Sequence, residues 1–216
     1  MLLRSPIALL RFAATASISA TLMVACGSDT PTATMQAAQP DVAATLARND
    51  LGSSVLSALA QVRQVTASYH DLETAKAAGY TVWSPNPFAA NATCPSNALG
   101  NMGYHLVNVS LRGSAANPAA GDAVIDAMRP EMLLYEKRPD GEMHLVGVEY
   151  IVFKAAWERV YGAGAAAPQV FGQPLILGSH TFPGGTGSIP HYELHVWLWT
   201  NNPLGMFAPW NPTVSC

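Results

Sequence analysis

Three histidines and two glutamates lie in stretches that are otherwise apolar and strand-like. His105 lies in MGYHLVNVSL, Glu149 in LVGVEYIVF, and His191, Glu193 and His195 in HYELHVWLW. Imidazole and carboxylate together ligate transition ions and also exchange protons near neutral pH. A carboxylate is almost never fully buried without a partner. Glu149 in such a run therefore needs a histidine, a tyrosine hydroxyl, a backbone donor or a metal ion.

Spacing narrows the combinations. In a strand, His191, Glu193, His195, Trp197 and Trp199 share one face, while Tyr192, Leu194, Val196 and Leu198 take the other. Residues i and i+4 of a strand lie about 13 Å apart, so His191 and His195 do not share an ion unless a bulge bends the chain. On a helix they would converge, but Tyr192, Val196, Trp197 and Trp199 favour strand. The favoured set is His105, Glu149 and His195 from neighbouring strands, a two-His, one-carboxylate group suited to Zn, Cu or Fe. Glu193 is an alternative to Glu149. The same residues also fit a buried hydrogen-bond network, or acid/base catalysis by Glu149 or His195.

Several established patterns are missing. There is no HExxH, no HxH and no GxSxG, and the glycine clusters at 162–164 and 184–187 lack the features of a phosphate loop. Trp197, Trp199, Phe207 and Trp210 read first as core and tail packing. They read second as the wall of a pocket for an apolar or sugar-like ligand.

The elements that must position these residues follow from periodicity. Val55, Leu59, Val62, Tyr69 and Leu72 recur at helical spacing. Asp71 is placed to cap a second helix ending at Gly79, so one bent helix or a helix pair is expected. Residues 102–111 form a strand candidate. Runs 132–138 and 142–153 flank Pro139-Asp140-Gly141, a hairpin signal. A short helix over 154–161 stops at Gly162. One helical turn is expected within 123–128, and an irregular segment over 162–190. The expected fold is α+β and loop-rich: an N-terminal helix or helix pair packed on a mostly antiparallel sheet of four to five strands.

Residues 1–25 read as a lipoprotein signal peptide, with Arg4 and Arg11 before an apolar run that closes on Met23-Val24-Ala25-Cys26. An ordinary cleaved signal peptide or an N-terminal anchor is the alternative. Residues 26–50, poor in aromatics, read as a flexible tether, and 51–216 as a single globular domain. The expected address is the cell envelope, with Cys26 lipidated and embedded in the membrane. Gly27 after the cysteine favours the outer membrane in a Gram-negative host.

Loss of Arg4 and Arg11 from the 11 basic residues leaves nine against 14 acidic ones, a net charge of −5. No basic patch is present, which argues against a nucleic-acid partner. In an oxidising compartment Cys94 and Cys216 read as a disulfide, with free thiols or a metal pair as alternatives. Closing so long a loop is worth at most about 4–5 kcal/mol.

The blocks SYHDLETAKAAGY, NMGYHLVN, LLYEKRPDGEMHLVGVEY, VFGQPL and HYELHVWLWTNNPLGMFAPWNPTVSC resemble a widespread family of exported bacterial proteins without an assigned activity. The resemblance covers about residues 66–216. It implies an architecture and a location rather than a mechanism. The family pattern includes the residues matching His105, Glu149 and His195 and the cysteines matching Cys94 and Cys216, and residues 163–167 look like a variable insertion. The leading expectation is an envelope lipoprotein with a polar, aromatic-walled pocket that binds a transition metal or small ligand. A non-catalytic binding or interaction module is the alternative. A hydrolase or other enzyme is the third reading.

Overall fold

The computed structural model describes residues 51–216. The expected signal peptide, the lipidation site at Cys26 and the tether lie outside them.

Helix α1 (Ser53–Thr66) buries Leu59, Val62 and Thr66, spaced by three and four residues. A 3-10 turn, Ala67–His70, breaks the helix before α2 (Leu72–Ala77). Asp71 caps α2 by accepting the Thr74 amide at 2.7 Å. The helical segment is tied to the rest by polar contacts as well as by packing. Tyr135 donates its hydroxyl to the Tyr69 carbonyl at 2.5 Å. Arg63 donates to the Leu198 carbonyl and lies over the Trp199 ring.

The strands, in chain order, begin with β1 (Val82–Ser84), β2 (Ser96–Asn97), β3 (Gly100–Asn101) and β4 (Tyr104–Val107). They continue with β5 (Met132–Lys137), β6 (Met143–Phe153), β7 (Gln169–Val170), β8 (Gln173–Pro174), β9 (Ile176–Thr181) and β10 (Ser188–Val196). Six of them form one antiparallel sheet in the order β1-β4-β5-β6-β10-β9. The pairs β2-β3 and β7-β8 are separate short ribbons. The chain is thus α+β, with the β5-β6 hairpin turning at Gly141 (φ 89°).

Several sequence expectations need correction. The sheet has six strands rather than four or five, and part of the segment 162–190 is ordered sheet. Strand β9 escapes detection because it is an edge strand with five of six residues exposed and a glycine inside. The strand expected over 102–111 ends at Val107, where Asn108 accepts the Ser110 amide and starts a helical turn, α3 (Val109–Arg112). The turn expected within 123–128 lies instead at Pro118–Ala120. Helix α4 (Lys154–Tyr161) ends at Gly162 as expected.

A bulge interrupts the central hairpin. Leu134 pairs with Gly147, but Tyr135 pairs with Leu145, leaving Val146 as the extra residue. Strict alternation would put Leu145 on the Glu149 face. The bulge moves it to the face of Val148. Val146 instead packs with Leu134, Trp197 and Val214 in a small core of its own. The remaining apolar residues, from Leu59 and Val62 to Tyr150 and Phe153, make one continuous cluster.

Cys94 and Cys216, 122 positions apart in sequence, form a disulfide with Cα atoms 5.6 Å apart. The bond fastens the C-terminal tail to the loop before β2. Asn211, buried completely, adds a bridge from the tail to Asn101. In urea unfolding, the Cys94→Ser, Cys216→Ser double variant is expected to lose stability, up to about 4–5 kcal/mol from the loop-entropy model. An unchanged midpoint would contradict a structural role for the bond.

Candidate metal centre

Register decides which side chains meet. On β10, His191, Glu193 and His195 project to one face because strand side chains alternate. His195 lies directly opposite Glu149 on β6, and Glu149 lies opposite Met132 on β5. His105 on β4 pairs with Leu134, which carries the same face across β5. On the other side, β9 places Gly178 opposite His191 and His180 opposite Ile189. Two histidine–carboxylate groups thus lie side by side on one face of the sheet.

The first group is His105, Glu149 and His195, all buried. The two Nε2 atoms are 3.3 Å apart. Glu149 Oε2 lies 3.1 Å from His105 Nε2 and 3.9 Å from His195 Nε2. A tetrahedral ion with bonds near 2.0–2.1 Å requires ligand atoms about 3.3–3.4 Å apart. The point equidistant from these three atoms lies about 2.0 Å from each, the length of a bond from Zn to imidazole or carboxylate.

Hydrogen bonding leaves this group incomplete. Glu149 is 2% exposed, yet its Oε2 accepts no well-aligned hydrogen bond, and His195 Nδ1 has no hydrogen-bond partner either. A buried carboxylate oxygen beside two ring nitrogens favours positive charge, and the buried Arg112 guanidinium supplies some of it through a longer-range attraction. Burial alone would raise the Glu149 pKa, but His195 and His105 beside it outweigh that and hold the carboxyl below its usual range. Burial lowers the pKa of His195 despite the pull of Glu149, so this ring is neutral at pH 7. An ionised carboxylate and a neutral imidazole are the forms that ligate metal.

His191 and Glu193, singled out with the first group in the sequence, do not join it. They combine with His180. His191 Nε2 lies 3.0 Å and His180 Nε2 3.6 Å from Glu193 Oε2. Burial opposes ionisation of Glu193, but hydrogen bonds from His180 and His191 reverse this and hold its carboxyl well below the usual range. Sequence reasoning missed His180 because it lies between glycine- and proline-rich stretches. Its only signal is the ILGSHT run of β9, once that run is read as strand.

Both groups border one cavity of about 830 Å³. His105, Glu149, His180 and Glu193 face it, and Met132, Phe182 and Trp210 supply apolar wall. Trp210 therefore acts as a wall. Trp197 is core, donating its indole N–H to the Ala208 carbonyl at 2.7 Å. Trp199 falls beyond the end of β10 and meets His70 edge-on at 4.6 Å, so it does not share the face of His195. An ion held by His105, Glu149 and His195 would have three protein ligands and a side open to the cavity. That is the pattern of a site that binds an exchangeable ligand.

Comparison with protein-family models, with curated proteins and with solved structures returns no match, so the site is read from its own chemistry.

The close approach of β10 to β6 beside Glu149 depends on Gly147. A Cβ there would lie 2.6 Å from the Val196 carbonyl oxygen and 3.3 Å from Trp197 Cα. Gly147→Ala is expected to cost about 1–3 kcal/mol in urea unfolding, since two backbones must separate. A loss below about 0.5 kcal/mol, within the range of ordinary surface substitutions, would show that the strands are not held this tightly.

Proposed function

We propose that this protein is an exported, lipid-anchored metal-binding protein of the cell envelope. His105, Glu149 and His195 hold a transition ion, Zn²⁺ or alternatively Cu²⁺ or Fe²⁺, at the wall of the cavity. The observation that carries this reading is the common point about 2.0 Å from all three ligand atoms. The ion would neutralise the buried Glu149 oxygen and leave a coordination position toward the cavity for water or a small ligand. The chain's own contribution is to fix three ligands on three rigid strands and to wall the position with Met132, Phe182 and Trp210.

The address rests on the lipobox ending at Cys26 and on the resemblance to exported proteins. No helix among the described residues is long and apolar enough to cross a membrane. On this reading attachment comes from lipid on Cys26. Radiolabelled palmitate is expected to enter the wild-type chain in its host and to be lost in Cys26→Ala. Equal labelling of both would place the anchor elsewhere.

Tag-free protein purified without chelator tests the metal reading. Zn²⁺ at 100 times its dissociation constant should stabilise the fold by about 2.7 kcal/mol. Glu149→Gln and His195→Ala should each weaken binding at this set by more than about 100-fold, since they remove direct ligands rather than outer-shell partners. Affinity should fall as pH drops through and below the ordinary imidazole range, because protons compete for the His195 ring, with Glu149 competing only below the usual carboxylate range. If Zn²⁺, Cu²⁺ and Fe²⁺ all fail to bind or stabilise, these residues form a structural network in a non-catalytic module.

A further inference from the structure

We infer that His180, His191 and Glu193 form a second, separate cation site on the same cavity, one that takes a divalent transition ion. The three residues offer ligand atoms within 4.8 Å of one another, with His191 fully buried and His180 exposed. The two distances to Glu193 Oε2, 3.0 and 3.6 Å, bracket the edge of about 3.3–3.4 Å that tetrahedral coordination by nitrogen and oxygen requires.

The tautomer of His191 gives an independent reason. Its Nδ1–H donates to the Ile189 carbonyl at 2.7 Å. In the neutral ring this leaves the lone pair on Nε2, the atom that faces the Glu193 carboxylate. Two electron-rich atoms aimed at each other at 3.0 Å need a cation between or beside them. A proton on Nε2 would serve, and that is the state in which His191 donates to Glu193. The arrival of a third donor, His180 Nε2, at the same oxygen favours an ion that binds several ligands at once. A backbone Nδ1 anchor is also what holds metal-binding histidines in orientation.

Gly178 supplies the space. A Cβ at this position would lie 2.9 Å from His191 Nε2 and 3.1 Å from Glu193 Oε1. The residue across from His191 on the edge strand is thus the one type that leaves His191 Nε2 and the Glu193 carboxylate uncovered. Its φ lies outside the left-handed region, so backbone conformation does not explain the glycine.

The second site is distinct from the first. Glu193 and His195 are successive residues on one face of β10, about 6.8 Å apart along the strand. Bridged two-metal centres hold their ions about 3.5–4 Å apart. Two mononuclear ions fit this spacing, one walled by buried ligands and one reached by the exposed His180.

Equilibrium dialysis of tag-free protein against Zn²⁺, followed by metal analysis, tests the inference. Wild type should hold two ions per chain. His180→Ala, which removes an exposed ring and is expected to keep the fold, and Glu193→Gln should each reduce this to one. Glu149→Gln should also leave one, and the His180→Ala, Glu149→Gln double variant none. One wild-type ion lost only in Glu149→Gln overturns the second site and leaves the first standing. One ion lost only in His180→Ala and Glu193→Gln supports the second site and contradicts the first. Two ions that persist in both His180→Ala and Glu193→Gln, or none in wild type, also overturn the inference.

Discussion

Burial of the Glu149 carboxylate is the constraint on which the rest of the structure turns. The residue sits in β6, between β5 and β10, almost wholly buried at the wall of the cavity. An ion there costs several kcal/mol unless matched by opposite charge or directed donors. The protein supplies His195 directly across the β6-β10 ladder and His105 from β4, but no well-aligned donor for Oε2. On the proposed reading, a cation at the meeting point would answer the carboxylate and both ring nitrogens together.

Much of the surrounding architecture serves this one junction. Gly147 lets β10 approach β6, and the bulge at Val146 interrupts the β5-β6 ladder and turns Val146 toward Trp197. The tail, fastened by Cys94–Cys216 and by Asn211, brings Trp210 to the cavity. The edge strand β9 closes the other side and contributes His180. Rigid strands rather than loops carry His105, Glu149 and His195, so little order would be left to impose were an ion to bind.

The sequence made the chemistry more legible than the topology. A lone charged or imidazole side chain in an apolar run is conspicuous, which is why His105, Glu149 and His195 stand out without any structure. Strand rise separates His191 from His195, and in the structure they belong to different groups. Helix periodicity and the Asp-Gly hairpin are local signals and were readable. Strand order is not, because it depends on pairing between distant segments. The bulge at Val146 is invisible because the run 143–153 is buried on both faces, so its residues show no clear alternation. Strand β9 and His180 were hidden for a related reason. Gly178 reads as a breaker in sequence, whereas in the structure it makes room for His191 and Glu193.

The most direct test of the central claim is where a metal sits. Anomalous diffraction from crystals of the Zn²⁺-loaded protein, collected on both sides of the zinc edge, locates the ion without assumption. The account predicts a peak about 2.0–2.1 Å from His105 Nε2, His195 Nε2 and Glu149 Oε2. Zinc bound only elsewhere, with these three side chains still in place and no peak among them, would contradict it.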